Sequence, residues 1–254
     1  MLFYKSYLFL LVFCLPFTVK AQFYARGEIT YQRTYNLKLA LQLEERYKNF
    51  KEYAKNLPDD IKAYYTLHFN GQKSDYYFLQ DSVKEDASEN RLINFLPIKR
   101  VAFQNQVWTD FKQHTQKALK KIFETNFLIT DSLPEYQWKI EDDIRTIAGY
   151  PCRKAITTID DSVVVVAFYT DQIMVSGGPE SFNGLPGMIL GLAVPRLYTT
   201  WFATKVSIVE PDFKSPDIPK KTEKVDRKDY LKGLKKATSS WWGNTDYLIW
   251  MSVL

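Results

Sequence analysis

Apolar and polar residues alternate most regularly near the start of the chain. Between Ala25 and Tyr35, Ile29, Tyr31 and Arg33 fall on one face and Thr30, Gln32 and Thr34 on the other, which predicts a strand. The period then lengthens. Leu39, Leu43, Tyr47, Phe50, Ala54 and Leu57 recur at helical spacing and predict a long amphipathic helix over 37–57, with Asn36 as its cap and Pro58-Asp59-Asp60 as its stop. Period two returns over 61–80. Ala63, Tyr65, Leu67 and Phe69 oppose Tyr64, Thr66, His68 and Asn70, and Asn70-Gly71 predicts a hairpin turn. Further strands are expected near 98–109, 118–130, 136–148, 151–159, 162–170, 186–194 and 198–209. Turn signals between them, such as Gly149-Tyr150-Pro151 and Asp160-Asp161, make this an antiparallel meander. Val163 to Tyr169 is apolar on both faces and is expected at the centre of the sheet.

Near residue 211 the pattern breaks. Pro211, Pro216 and Pro219 among lysines read as a surface linker, and Asp226 to Trp242 as a helix with Tyr230, Leu234, Ala237 and Trp241 on one side. The apolar tail 247–254 is expected to dock on the body or to pair with another chain. The fold class is therefore α+β: a large curved antiparallel β-sheet of the kind that bends into an open half-barrel, a long helix packed on it, and a C-terminal helical appendage. The sheet domain is expected over 22–210 and the linker with its appendage over 211–254.

Residues 1–21 have the form of a secretory signal peptide. Lys5 supplies the positive end, Leu8 to Leu15 an apolar stretch too short to span a bilayer, and Val19-Lys20-Ala21 a cleavage site. A lipoprotein signal using Cys14 is the alternative, although Phe13 is bulky where a small residue belongs. The expected location is the periplasm or cell envelope. The formal charge of +5 falls to +3 when Lys5 and Lys20 leave with the signal, a balance that does not point to nucleic acid. Cleavage also removes one of two cysteines, so Cys152 is left unpaired: a buried inert thiol on one reading, a reactive one beside Arg153 and Lys154 on the other.

The densest turn signal is Gly178-Pro179-Glu180-Ser181-Phe182-Asn183-Gly184-Leu185-Pro186-Gly187-Met188-Ile189-Leu190. Leu185-Pro186-Gly187-Met188 predicts a type II turn, with Pro186 fixing φ and Gly187 accepting a positive one. Two readings stay open. The corner is a rigid support feeding a core strand, or Phe182, Leu185, Pro186, Gly187 and Met188 form the apolar rim of a ligand or partner groove. This stretch resembles the signature of the GLPGLI family, exported proteins of Bacteroidota of unassigned biochemical role. Gly149-Tyr150-Pro151-Cys152-Arg153-Lys154-Ala155 and Ala167-Phe168-Tyr169-Thr170 resemble two further family elements. The departures are Ile173-Met174-Val175, which lacks the usual proline, Phe168 in place of a tryptophan, Met188 in place of the first leucine of a final Leu-Ile-Leu, and Val194-Pro195 in place of a frequent acidic residue.

Catalytic patterns are sparse. His68 and His114 have no His or Cys partner at metal-ligand spacing, and no phosphate loop or nucleophile elbow is present. Glu141-Asp142-Asp143 and Asp160-Asp161 read as solvated turn ends, and His68 as a solvated side chain on the polar face of its hairpin. No cofactor and no metal is expected. The leading expectation is non-catalytic binding of an apolar ligand or partner protein in the envelope. The alternatives are an envelope enzyme using His68 or Cys152 with a nearby carboxylate, and a structural subunit whose apolar tail meets another chain.

Overall fold

The fold is that of a computed structural model, which describes residues 24–44, 47, 57–82, 93, 99, 101–159, 162–238 and 246–254. The signal segment, Asp160-Asp161 and Trp241-Trp242 lie outside the described residues. In chain order the elements are β1 (Gly27–Asn36), α1 (Leu37–Leu43), β2 (Asp60–Phe69), β3 (Lys73–Asp81), β4 (Gln106–Asp110), β5 (Thr115–Ile122), β6 (Thr125–Ser132) and β7 (Lys139–Ile147). There follow β8 (Tyr150–Ile159), β9 (Val163–Thr170), β10 (Met188–Val194), β11 (Thr199–Ser207), β12 (Thr222–Val225), α2 (Arg227–Thr238) and α3 (Asp246–Val253). The strands make one 12-stranded sheet in the order β12-β6-β5-β4-β3-β2-β1-β11-β10-β9-β8-β7. It is mixed, because β12 runs parallel to β6 while the other pairs are antiparallel, and it is open, with β12 and β7 at its edges. No helix among the described residues is long and apolar enough to cross a membrane.

The 61–80 hairpin has the expected register, with Asn70 Oδ1 accepting the N–H groups of Gln72 and Lys73 in its turn. β1 alternates as expected, burying Ile29, Tyr31 and Arg33. We call that face of the sheet inner and the face carrying Glu28, His68 and Asp75 outer.

The long helix is not supported. Asn36 does cap α1, accepting Leu39 N–H at 2.8 Å, but Glu44 is already extended, with φ −88° and ψ 121°. Continuity with β1 decides which side of α1 is covered: Leu37, Ala40 and Leu41 are buried, while Leu39 and Leu43 of the expected stripe are exposed. Of the remaining stretch, 45–46 and 48–56 lie outside the described residues.

The single strand expected over 118–130 is instead a hairpin. Ile122 pairs with Thr125, and Phe123 takes φ 52° between them, a conformation signalled by glycine or asparagine rather than phenylalanine. β9 is the third strand from the β7 edge, and its outer side is open, with Val164 44% exposed. Glu141-Asp142-Asp143 sits not in a turn but at a register break inside β7, where Lys154 of β8 pairs with Glu141 and Asp143. A charged bulge of this kind blunts an edge strand against pairing with another sheet.

The C-terminal segment is part of the body. Residues 222–225, expected within the linker, add β12 to the sheet. The apolar tail docks as α3, burying Leu248, Ile249 and Met251, and buried Lys120 of β5 donates to the carbonyls of Ser252 and Leu254. A cation at the carbonyl end of a helix satisfies orphan acceptors and opposes the dipole.

Candidate binding site

The corner at 185–188 is built on backbone contacts. Gly187 N–H donates to Leu185 O at 2.8 Å, closing a three-residue turn around Pro186 instead of the expected type II turn, while Met188 N–H donates to Ile173 O. Gly187 has φ 149°, and a β-carbon there would lie 2.1 Å from Thr170 O. Of the five residues considered as a rim, the side chains of Phe182, Leu185 and Met188 are packed in the core, Gly187 is buried, and Pro186 is exposed. Phe182 stacks on Tyr136, centroids 5.1 Å apart.

The segment before the corner sends a charge inward. Phe182 N–H bonds back to Pro179 O, and Glu180, second in this turn, has φ 56°. Glycine is the ordinary occupant of such a position, and a glutamate there carries strain of about 1–2 kcal/mol. The buried Glu180 carboxylate accepts from Asn105 Nδ2 at 2.8 Å. Arg33 lies across the inner face, its guanidinium over Trp201 and Phe103 and its Nη1 within 3.4 Å of Tyr65 Oη and Ala102 O. Burial alone would lower the Arg33 pKa, but the fields of Tyr65 and Glu180 outweigh it and the net shift is upward. Among the described residues, Glu180 Oε1, Arg33 Nε, Asn105 Oδ1, Tyr76 Oη and Trp201 Nε1 are buried without a hydrogen-bond partner. Glu180 belongs to no motif that marks a site. Its signal is that it is the one charged residue between Asp171 and Arg196.

His68 is not solvated. Register places Glu28, His68, Asp75, Trp108 and Lys117 in one cross-strand row on the outer face of β1 to β5. His68 Nε2 is 3.5 Å from Glu28 Oε2 and its Nδ1 3.4 Å from Asp75 Oδ1. The segment 212–216 crosses above: Phe213 meets the His68 ring edge-on, and Lys214 N–H donates to Asp75 Oδ2 at 3.2 Å. Burial raises the Asp75 carboxyl above its usual range against the opposing pull of Lys214 N–H and His68. This segment and the β3–β5 face enclose a groove of about 410 Å³. Trp108 and Phe213 give it aromatic surface, and Lys73, Lys117 and Lys214 give it cations. Period-two alternation placed Trp108 in a strand, but only the pairing of five strands brings it beside Lys117 and under residues distant in sequence.

The remaining candidates are inert or remote. Cys152 is buried, its thiol directed at Tyr150 O, and burial pushes its pKa up to about 12. His114 is exposed in the turn between β4 and β5. Among the described residues no group of three His, Cys, Asp or Glu is arranged to hold a metal ion.

Comparison with known proteins adds fold but no activity. Residues 157–191 match a family model described as a protein of unknown function, Porph_ging. A search of curated proteins found no match. Among solved structures, PNGF-II in its P21 crystal form is 16% identical with a TM-score of 0.51, covering 84% of this chain and 34% of that one. The C2 form gives 17% identity and a TM-score of 0.48, with 84% and 33% covered. An uncharacterized conserved protein from Thermus thermophilus gives 8% and 0.38, with 80% and 91% covered. This chain thus spans about a third of the length of PNGF-II, and at this identity the P21 likeness is one of fold. Sequence and structure together describe an open, mostly β protein whose residues 157–191 match the model of a family of unknown function, Porph_ging.

Proposed function

We propose that the protein is an exported cell-envelope binding protein of the GLPGLI type, non-catalytic, and that its outer groove holds an apolar or aromatic ligand. The observation that carries this reading is the groove itself: about 410 Å³, floored by Trp108, walled by Phe213, and bordered by lysines. Its volume falls in the range of small-molecule sites, and its combination of aromatic surface with a few polar groups is what such sites use. The shape assumed is an open half-barrel, with the corner at Phe182, Leu185, Pro186, Gly187 and Met188 holding the inner face rather than forming the rim. Export rests on the sequence of residues 1–21.

A second reading, an envelope enzyme, draws support from His68 between Glu28 and Asp75, because a carboxylate that orients an imidazole is a common feature of general bases. His68 is only 5% exposed, however, Phe213 lies against it and its Nδ1 is buried, which favours a packing role over a catalytic one. A structural subunit has less support, since the tail that suggested one is buried against the body.

The test is to purify the tagged protein from its own cell envelope and identify co-purifying small molecules by mass spectrometry. A molecule retained by the wild type and lost from Trp108→Ala supports the binding reading. Equal retention by Trp108→Ala places the ligand elsewhere and removes the groove from the account.

A further inference from the structure

The charges around the groove say which ligand it suits. Three lysines line it, Lys73, Lys117 and Lys214, together with Asp75 and Asp110. Of the two carboxylates, Asp75 is buried and Asp110 is partly buried. Asp75 accepts Lys214 N–H and lies beside His68, and Asp110 accepts Gln113 N–H at 2.8 Å. The lysines are not engaged in the same way: among the described residues, none of the three takes part in an ion pair. Two meet aromatic rings, Lys73 Nζ 4.2 Å from the Phe213 centroid and Lys214 Nζ 4.9 Å from that of Tyr77, with which Lys214 also shares a side-chain hydrogen bond, and the charge of Lys73 acts on Asp75. A cation–π contact fixes where an ammonium sits without cancelling its charge as a carboxylate does. The same groove carries the half-buried Trp108 ring, in register between Asp75 and Lys117.

We propose that the groove selects an anionic, ring-bearing small molecule, with its ring on Trp108 and its acidic group among Lys73, Lys117 and Lys214. This rests on the reading of the groove as a ligand site. A cationic ligand of the same shape meets three like charges there and two carboxylates already hydrogen-bonded. A neutral one gains the ring contact without the ammonium groups. Because the lysines are solvent-exposed, the preference weakens as ionic strength rises.

The experiment compares 2-naphthoate with 2-naphthylmethylammonium by isothermal titration on the full chain. The expected result is about a tenfold or larger preference for naphthoate at low salt, which corresponds to at least about 1.4 kcal/mol. The preference should shrink at high salt and disappear in Lys73→Gln/Lys117→Gln, a pair of exposed positions whose replacement spares the core. Trp108→Ala should lose both probes, with circular dichroism confirming that it is folded. Equal binding of the two probes, still dependent on Trp108, overturns the anionic preference but leaves the groove as a ligand site. Binding of neither probe, or binding indifferent to Trp108, overturns both.

Discussion

At the scale of single residues, the corner depends on one missing side chain. A β-carbon at Gly187 would collide with the backbone of Thr170, which is held in β9 and cannot move aside cheaply. Gly187→Ala is therefore expected to cost about 3 kcal/mol or more, since strain and overpacking add. Pro186 is exposed and carries no such constraint, so Pro186→Ala should cost roughly 0.5–1 kcal/mol, mainly by freeing the unfolded chain. Denaturant midpoints of the two variants check the order. Glu180 sets a second expectation. Glu180→Leu leaves Asn105 Nδ2 without its acceptor and weakens the negative field on buried Arg33 and Lys120, and is expected to cost about 1–3 kcal/mol. Glu180→Gln keeps an acceptor for Asn105 and should cost less, and urea melts of the two would rank them. The glycine was legible in the sequence because Pro-Gly names its own backbone need. The glutamate was not, because nothing in a local pattern announces a buried charged residue at positive φ whose field acts on an arginine 147 positions away (180 − 33).

At the scale of elements, β5 and α3 are joined through a buried lysine whose proton belongs to the solvent as much as to the fold. Burial lowers the Lys120 pKa from 10.5 to about 8, with Glu180 opposing. Between those values the folded state has released a proton that the unfolded chain still holds, so stability rises with pH and is lost again as pH falls through 8. From pH 8 to 10 the wild type should gain about 2–3 kcal/mol on Lys120→Met, where this titration is absent. The difference between the two proteins is the quantity to measure. Cys152 acts oppositely in both: burial raises its pKa from 9.0 to about 12, so the unfolded chain ionises first and stability declines above pH 9. A flat difference curve would show that Lys120 is charged or solvated in the fold. Most strands were legible from period two, β1 and the 61–80 hairpin most clearly. The β5–β6 hairpin was hidden because Phe123 occupies its turn, and α1 was overextended because an apolar stripe reports spacing and not whether anything lies beneath it. β12 could not be read from its own residues, since its pairing with β6 is made across about a hundred positions of chain.

At the scale of the whole molecule, the two faces of the sheet have separate roles. The inner face holds Arg33 and Glu180 in a polar, aromatic interior. The outer face lines up Glu28, His68, Asp75, Trp108 and Lys117 and is crossed by residues 212–216. The sequence supplied His68 and the strand carrying Trp108, but only the sheet order brings the row together and only the return of the chain after β11 covers it. Hydrogen exchange of the full chain, with and without small molecules extracted from its own cells, reads out whether the outer groove holds a ligand. A ligand in the groove is expected to add protection in 73–77, 106–117 and 212–216, around Trp108 and Phe213. Protection confined to the corner at 182–188, with those three segments unchanged, would contradict that expectation.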